Sequence, residues 1–94
     1  MTLTLADRVT PAPDVIVRVL GDEAVVVHLQ GGLYFGLDEV GTRIWTLCEE
    51  HDLAAVADRL THEFEVDRAT AEADVLAFAA ELARHGLIVP VGHG

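Results

Sequence analysis

The chain has 94 residues, sixteen acidic side chains against six basic ones, a formal net charge of −10 and 51% hydrophobic residues. All six bases are Arg, and Lys, Ser and Asn are missing altogether, which excludes a Ser nucleophile, a Lys Schiff base and a Walker-type phosphate clamp. The length allows one small domain whose core is marginal without a partner, the apolar fraction is too high for disorder, and the charge repels a phosphate backbone, so no nucleic acid is expected. The lone Cys48 rules out an internal disulfide and a cysteine-rich zinc site, and reads as a reducing, cytoplasmic setting. The longest apolar run, Val75 to Ala80, falls far short of the roughly 18 residues a membrane span needs, so no membrane partner is expected. The N-terminus has no basic stretch ahead of an apolar one and is no secretory signal.

Residues 1–14 carry Pro11 and Pro13 and no clear period, and read as a flexible lead-in with Val9 tucked beneath the domain. The domain proper is expected over 15–90, with 91–94 a frayed tail. Val15 to Leu20, Ala24 to Leu29 and Leu33 to Leu37 are β-branched or aromatic runs separated by Gly21-Asp22 and Gln30-Gly31-Gly32, which predicts an antiparallel meander. The period then changes to 3.6. Asp38 caps a first helix with Val40, Ile44, Leu47 and Cys48 on one face and Trp45 beside it. Asp52 caps a second helix, where Leu53, Val56, Ala57, Leu60 and Phe64 share a face. The third helix runs from about Asp67 to His85 and stops at Gly86, a left-handed cap position, with Leu87 packing back. Strands followed by helices give an α+β domain, a three-stranded antiparallel sheet followed by three helices on one of its faces. The third helix is apolar on two sides: Val75, Phe78 and Leu82 form one face, and Leu76, Ala79 and Ala83 a second. Such a helix is either squeezed between core elements or awaits a partner.

Catalytic and metal-binding constellations do not emerge. The five His residues never fall at a ligand spacing such as HExxH, and Cys48 lies on an apolar stripe. Glu49-Glu50 and Glu63-x-Glu65 read as solvated faces, and Gly31-Gly32 with Gly36 lies between strands with no GK[ST] behind it. An acidic carrier of this size would need a Ser for a phosphopantetheine arm. The reading is a domain that binds rather than catalyses, with no cofactor and no metal. Its third strand is a short, uncharged outer strand without a blocking Lys or Pro, next to a helix with spare apolar surface. That is a place for an extended peptide to add a strand, unless residues 1–14 or a second copy of the chain cover it.

The run Gly32-Leu33-Tyr34-Phe35-Gly36-Leu37-Asp38-Glu39-Val40-Gly41-Thr42-Arg43-Ile44-Trp45-Thr46-Leu47 resembles the strand-to-helix signature of PqqD-like proteins. So does Asp74-Val75-x-x-Phe78-x-x-x-Leu82-x-x-x-Gly86-Leu87-Ile88. These are recognition elements for ribosomally made, post-translationally modified peptides, and the wording here is most similar to stand-alone members from lasso-peptide clusters. The resemblance covers about residues 15–89. It implies a winged helix-turn-helix fold without catalytic activity or cofactor. It also implies that the leader segment of a precursor docks as a strand on Leu33, Tyr34, Phe35, Gly36 and Leu37, against a helix contributing from Asp74, Val75, Leu76, Phe78, Ala79 and Leu82. The implied partners are the leader, a separate cysteine leader peptidase and an ATP-dependent macrocyclase. Three other readings stand beside it: a peptide chaperone of the PqqD type serving a radical enzyme in quinone-cofactor synthesis, a DNA-binding winged helix, and a small structural subunit or homodimer of a larger enzyme. The DNA reading is opposed by Glu72, Asp74 and Glu81, with no base between Thr70 and Glu81.

Overall fold

The computed structural model describes residues 3–91. The elements, in order, are β1 (Val9–Pro11), β2 (Val15–Leu20), β3 (Glu23–His28), β4 (Leu33–Leu37), α1 (Glu39–Leu47), α2 (Leu53–Glu63), α3 (Arg68–Arg84) and β5 (Ile88–Pro90). The expected meander forms an antiparallel sheet in the order β2-β3-β4. Leu20 faces Glu23 across the two-residue turn Gly21-Asp22. Only Gly21 of that pair has a positive φ, at 68°, which is the backbone of a type II′ hairpin turn. The next hairpin is closed by His28 facing Leu33, and His28 Nδ1 accepts from the Gly31 N–H at 3.2 Å.

Each helix starts on an aspartate. Asp38, Asp52 and Asp67 accept from the backbone N–H groups of Gly41, Ala55 and Thr70 at 2.8, 2.8 and 2.7 Å, satisfying donors that the first helical turn leaves open. At the end of α3, Gly86 takes φ 74° and the Leu87 N–H returns to the Leu82 carbonyl at 2.9 Å. That closure turns Leu87 into the core, where it is fully buried. The core lies between the inner face of the sheet (Ala24, Val26, Leu37) and the helices (Ile44, Trp45, Leu53, Val56, Leu60, Val75 and Leu82 among others). Trp45 is buried, whereas Val40 of the predicted α1 stripe is 37% exposed. Helix α1 is only nine residues long and is covered on its Gly41–Trp45 side, so the centre of its buried face is rotated away from Val40.

The lead-in contains a strand that its sequence pattern did not reveal. β1 pairs antiparallel with β5, Val9 opposite Pro90 and Pro11 opposite Ile88, in a separate two-stranded sheet. Val9 is buried, as expected of it. Farther upstream, the carbonyls of Leu5 and Asp7 accept from the Ala54 and Leu53 N–H groups, so this segment also completes the start of α2. A three-residue strand ending in Pro has no periodicity to read, and its partner lies at the other end of the chain. Of the expected tail, only Val91 lies within the described residues, and its N–H bonds the Arg8 carbonyl at 2.9 Å. Between helices, Arg43 holds Glu63 in a two-bond fork at 2.6 and 2.8 Å, and this hydrogen bonding keeps the Glu63 carboxyl below the usual carboxylate range.

Candidate functional site

The hydrogen-bond direction of each β4 residue follows from the ladder. In an antiparallel sheet the N–H and C=O of one residue point to the same side, and the side alternates along the strand. The Leu29 N–H donates to the Asp14 carbonyl at 2.9 Å, so odd-numbered residues of β3 face β2. The tight turn closing on Leu20 and Glu23 has the same parity. Ala24, Val26 and His28 therefore face β4 and bond with their partners Leu37, Phe35 and Leu33. Tyr34 and Gly36 are left with N–H and C=O groups directed to the open edge. Among the described residues no strand pairs there, since the N-terminal strand is taken up by β5. The β2 edge is also unpaired, and Val19 and Leu20 at its end are 56% and 67% exposed.

Helix α3 reaches β4 at its C-terminal end. The Phe35 ring faces the His85 ring with centroids 5.4 Å apart. Farther along, a side chain built on Gly41 would meet the Phe78 ring at 3.2 Å. The end of α3 is thus opposite β4, and Phe78 is opposite the start of α1. On a helix, Phe78, Glu81 and His85 recur at i, i+3 and i+7 and share one side, which meets Gly41 of α1 at Phe78 and Phe35 of β4 at His85. His85 is positioned by a contact to Glu81 at 3.0 Å. Glu81 also holds Arg84, and these two partners, Arg84 first, keep its carboxyl below the ordinary range. A small apolar cavity next to Phe78 is lined by Ile44, Trp45, Cys48, Leu82 and Ile88 among others. Burial there pushes the Cys48 thiol up to about 11, which keeps it protonated and unreactive at neutral pH.

The structure distributes the residues singled out from the sequence as follows. On β4, Tyr34 (72% exposed) and Gly36 lie on the outer face of the sheet, while Leu33, Phe35 and Leu37 point toward the helices, Leu37 being buried. On α3, Phe78 is half-buried beside the edge, but Val75, Ala79 and Leu82 are buried and belong to the core. Leu76 lies on the opposite side of the helix from Phe78. On that side Ala83 lines a surface depression with Leu3. The second apolar face of α3 is therefore taken up partly by the chain's own N-terminal segment, which the sequence pattern could not indicate. Asp74 is exposed, one turn ahead of Phe78 on the same side of α3, and lines a depression with Val40, Leu60 and Phe64. Sequence reasoning missed His85, taken as a residue of the last helical turn, and Glu81. The spacing Phe78, Glu81, His85 was the available signal; the approach of His85 to Phe35 was not, because it depends on how α3 is docked.

A small α+β chain whose last helix ends against the outer strand β4 is the class that these features define. The family model for coenzyme PQQ synthesis protein D (PqqD) matches residues 23–88, and the chain belongs to this family. A solved structure of TbiB1 in complex with the TbiA(beta) leader peptide superposes with a TM-score of 0.78 at 40% identity, covering 90% of this chain and 98% of that one. A lasso peptide synthetase B1 complexed with its leader peptide gives a TM-score of 0.82 at 28% identity, over 88% of this chain and 99% of that one. No curated relative matches the chain. Among the described residues no helix is long and apolar enough to cross a membrane.

Proposed function

We infer that this chain is a non-catalytic binder of the leader segment of a ribosomally made precursor peptide, acting in lasso-peptide biosynthesis in the cytoplasm. The leader adds as a fourth strand to β4, against the Phe78–His85 side of α3, and is handed to a separate cysteine peptidase, with an ATP-dependent macrocyclase acting on the same precursor. The observation that carries this reading is the pair of outward-directed backbone positions, Tyr34 and Gly36, on a strand whose half-buried Phe35 meets His85 at the end of α3. Two solved relatives described as complexes with leader peptides support it. A chaperone role in quinone-cofactor synthesis is the second reading, favoured by the family's own description.

The energetics fit a reversible carrier. Each added hydrogen bond contributes about 0.5–1.5 kcal/mol and each buried apolar anchor about 1.5–3 kcal/mol. Ordering the peptide costs about 2–5 kcal/mol. The balance corresponds to a dissociation constant on the order of micromolar or somewhat tighter. Titrating a fluorescein-labelled lasso leader against the chain by fluorescence polarisation should give saturable binding in this range. Because backbone bonds and apolar anchors carry it, affinity should fall only modestly as salt is raised. Absence of saturable binding, or binding confined to low salt, contradicts the reading.

A further inference from the structure

The outer face of the sheet is apolar and uncovered. Ile16, Val27 and Tyr34 form one row across it, and Arg18, Val25 and Gly36 the next. Ile16 and Tyr34 are 50% and 72% exposed, and Leu20 at the end of β2 is 67% exposed. Gly36 has no internal reason to be glycine. Its φ is not in the left-handed region, and nothing lies within 4 Å of where its Cβ would be. A glycine inside a strand weakens it, and marks a place where another chain approaches closely. Next to it is a depression of about 380 Å³ lined by Leu20, Glu23, Val25, Gly36 and Asp38 among others. Most of those walls lie on the β2 and β3 side, away from the edge where a fourth strand would add.

We propose that this outer face, centred on the hollow beside Gly36, is the docking surface for the enzyme that receives the leader. The inference rests on the leader-binding reading above. A leader paired with Tyr34 and Gly36 continues the same sheet, and alternate leader side chains extend the same outer face. An enzyme seated there contacts carrier and leader together and distinguishes the loaded from the empty carrier. The matching partner surface carries an apolar side chain for the hollow and a carboxylate for Arg18, which has no ion-pair partner among the described residues. Its rim is basic, to face Asp22, Glu23 and Asp38. A second copy of the chain is a poor occupant, because two net charges of −10 would be brought together.

The test uses the full chain, a cysteine leader peptidase from a lasso-peptide cluster and a fluorescein-labelled lasso leader. Leu20→Asp and Arg18→Glu both alter exposed positions of β2, two strands from the β4 edge. Polarisation should give leader affinities within about twofold of wild type, while peptidase association, read by biolayer interferometry at saturating leader, weakens about tenfold or more. Unchanged peptidase association in both variants overturns the proposal. So does a parallel loss of leader affinity, which would assign the hollow to the leader. A concentration-dependent dimer of the wild-type chain that Leu20→Asp abolishes also overturns it, by assigning the face to a second copy. If the wild-type chain binds the peptidase but not the leader, the functional reading fails, and the docking surface is kept only if Leu20→Asp and Arg18→Glu still weaken that association and is overturned if they do not.

Discussion

Replacing Gly36 by Pro should weaken leader binding by roughly a hundredfold and leave the fold intact. The N–H of Gly36 is directed to the open edge, so β4 can lose it without losing a bond to β3. An edge position with its N–H facing outward is where a strand tolerates Pro. A docked leader would be left with one carbonyl unpaired, at a cost of about 1–3 kcal/mol, and the pyrrolidine ring would also hold the two strands apart. The expected loss is roughly a hundredfold in affinity, with a melting temperature close to wild type. Phe35→Pro is the opposite case. It removes the N–H that pairs with Val26 and should destabilise the protein itself. Wild-type leader affinity in Gly36→Pro would contradict strand addition at this edge.

The second large effect is expected at Phe35. Its ring is half-buried, on the helix-facing side of β4, and lies against His85 where α3 and the edge strand approach each other. A leader anchor inserted between strand and helix would complete its burial. Full burial of such a side chain is worth about 1.5–3 kcal/mol, so Phe35→Ala should cost about tenfold to a hundredfold in leader affinity. The loss of folding stability should be smaller, because the ring is only partly enclosed in the free chain. Tyr34→Ala alters the opposite face of the same strand and should weaken leader binding less. Polarisation titrations run alongside thermal melting separate the two quantities. Equal losses of affinity and stability in Phe35→Ala would make this ring a core residue instead.

The parts of the fold that local chemistry determines were legible in the sequence. The three β-branched runs became β2, β3 and β4. The aspartate caps set the starts of α1 and α2, and Gly86 ended α3 with Leu87 turned inward. What was not legible depends on contacts between distant segments. The pairing of Val9–Pro11 with Ile88–Pro90 joins two three-residue stretches from opposite ends of the chain, each ending in Pro and neither long enough to show a period. The same limitation affected the site. The strand wall could be named from its apolar, uncharged character, but α3 has two apolar faces, and periodicity does not say which is covered. The structure sets His85 against Phe35 of β4 and Phe78 against Gly41 of α1, and leaves Leu76 on the far side of the helix. Which β4 residues offer free backbone groups was likewise settled by register: the Leu29–Asp14 bond fixes the parity of the whole meander.

Amide hydrogen exchange at Tyr34 and Gly36, followed residue by residue by NMR with and without saturating leader, examines the open edge itself. In the free chain both amides should exchange rapidly while Phe35 and Leu37 are protected, and leader should slow both Tyr34 and Gly36 markedly. Persistently fast exchange at these two positions in a chain fully occupied by leader would show that the peptide binds elsewhere, and would contradict the account.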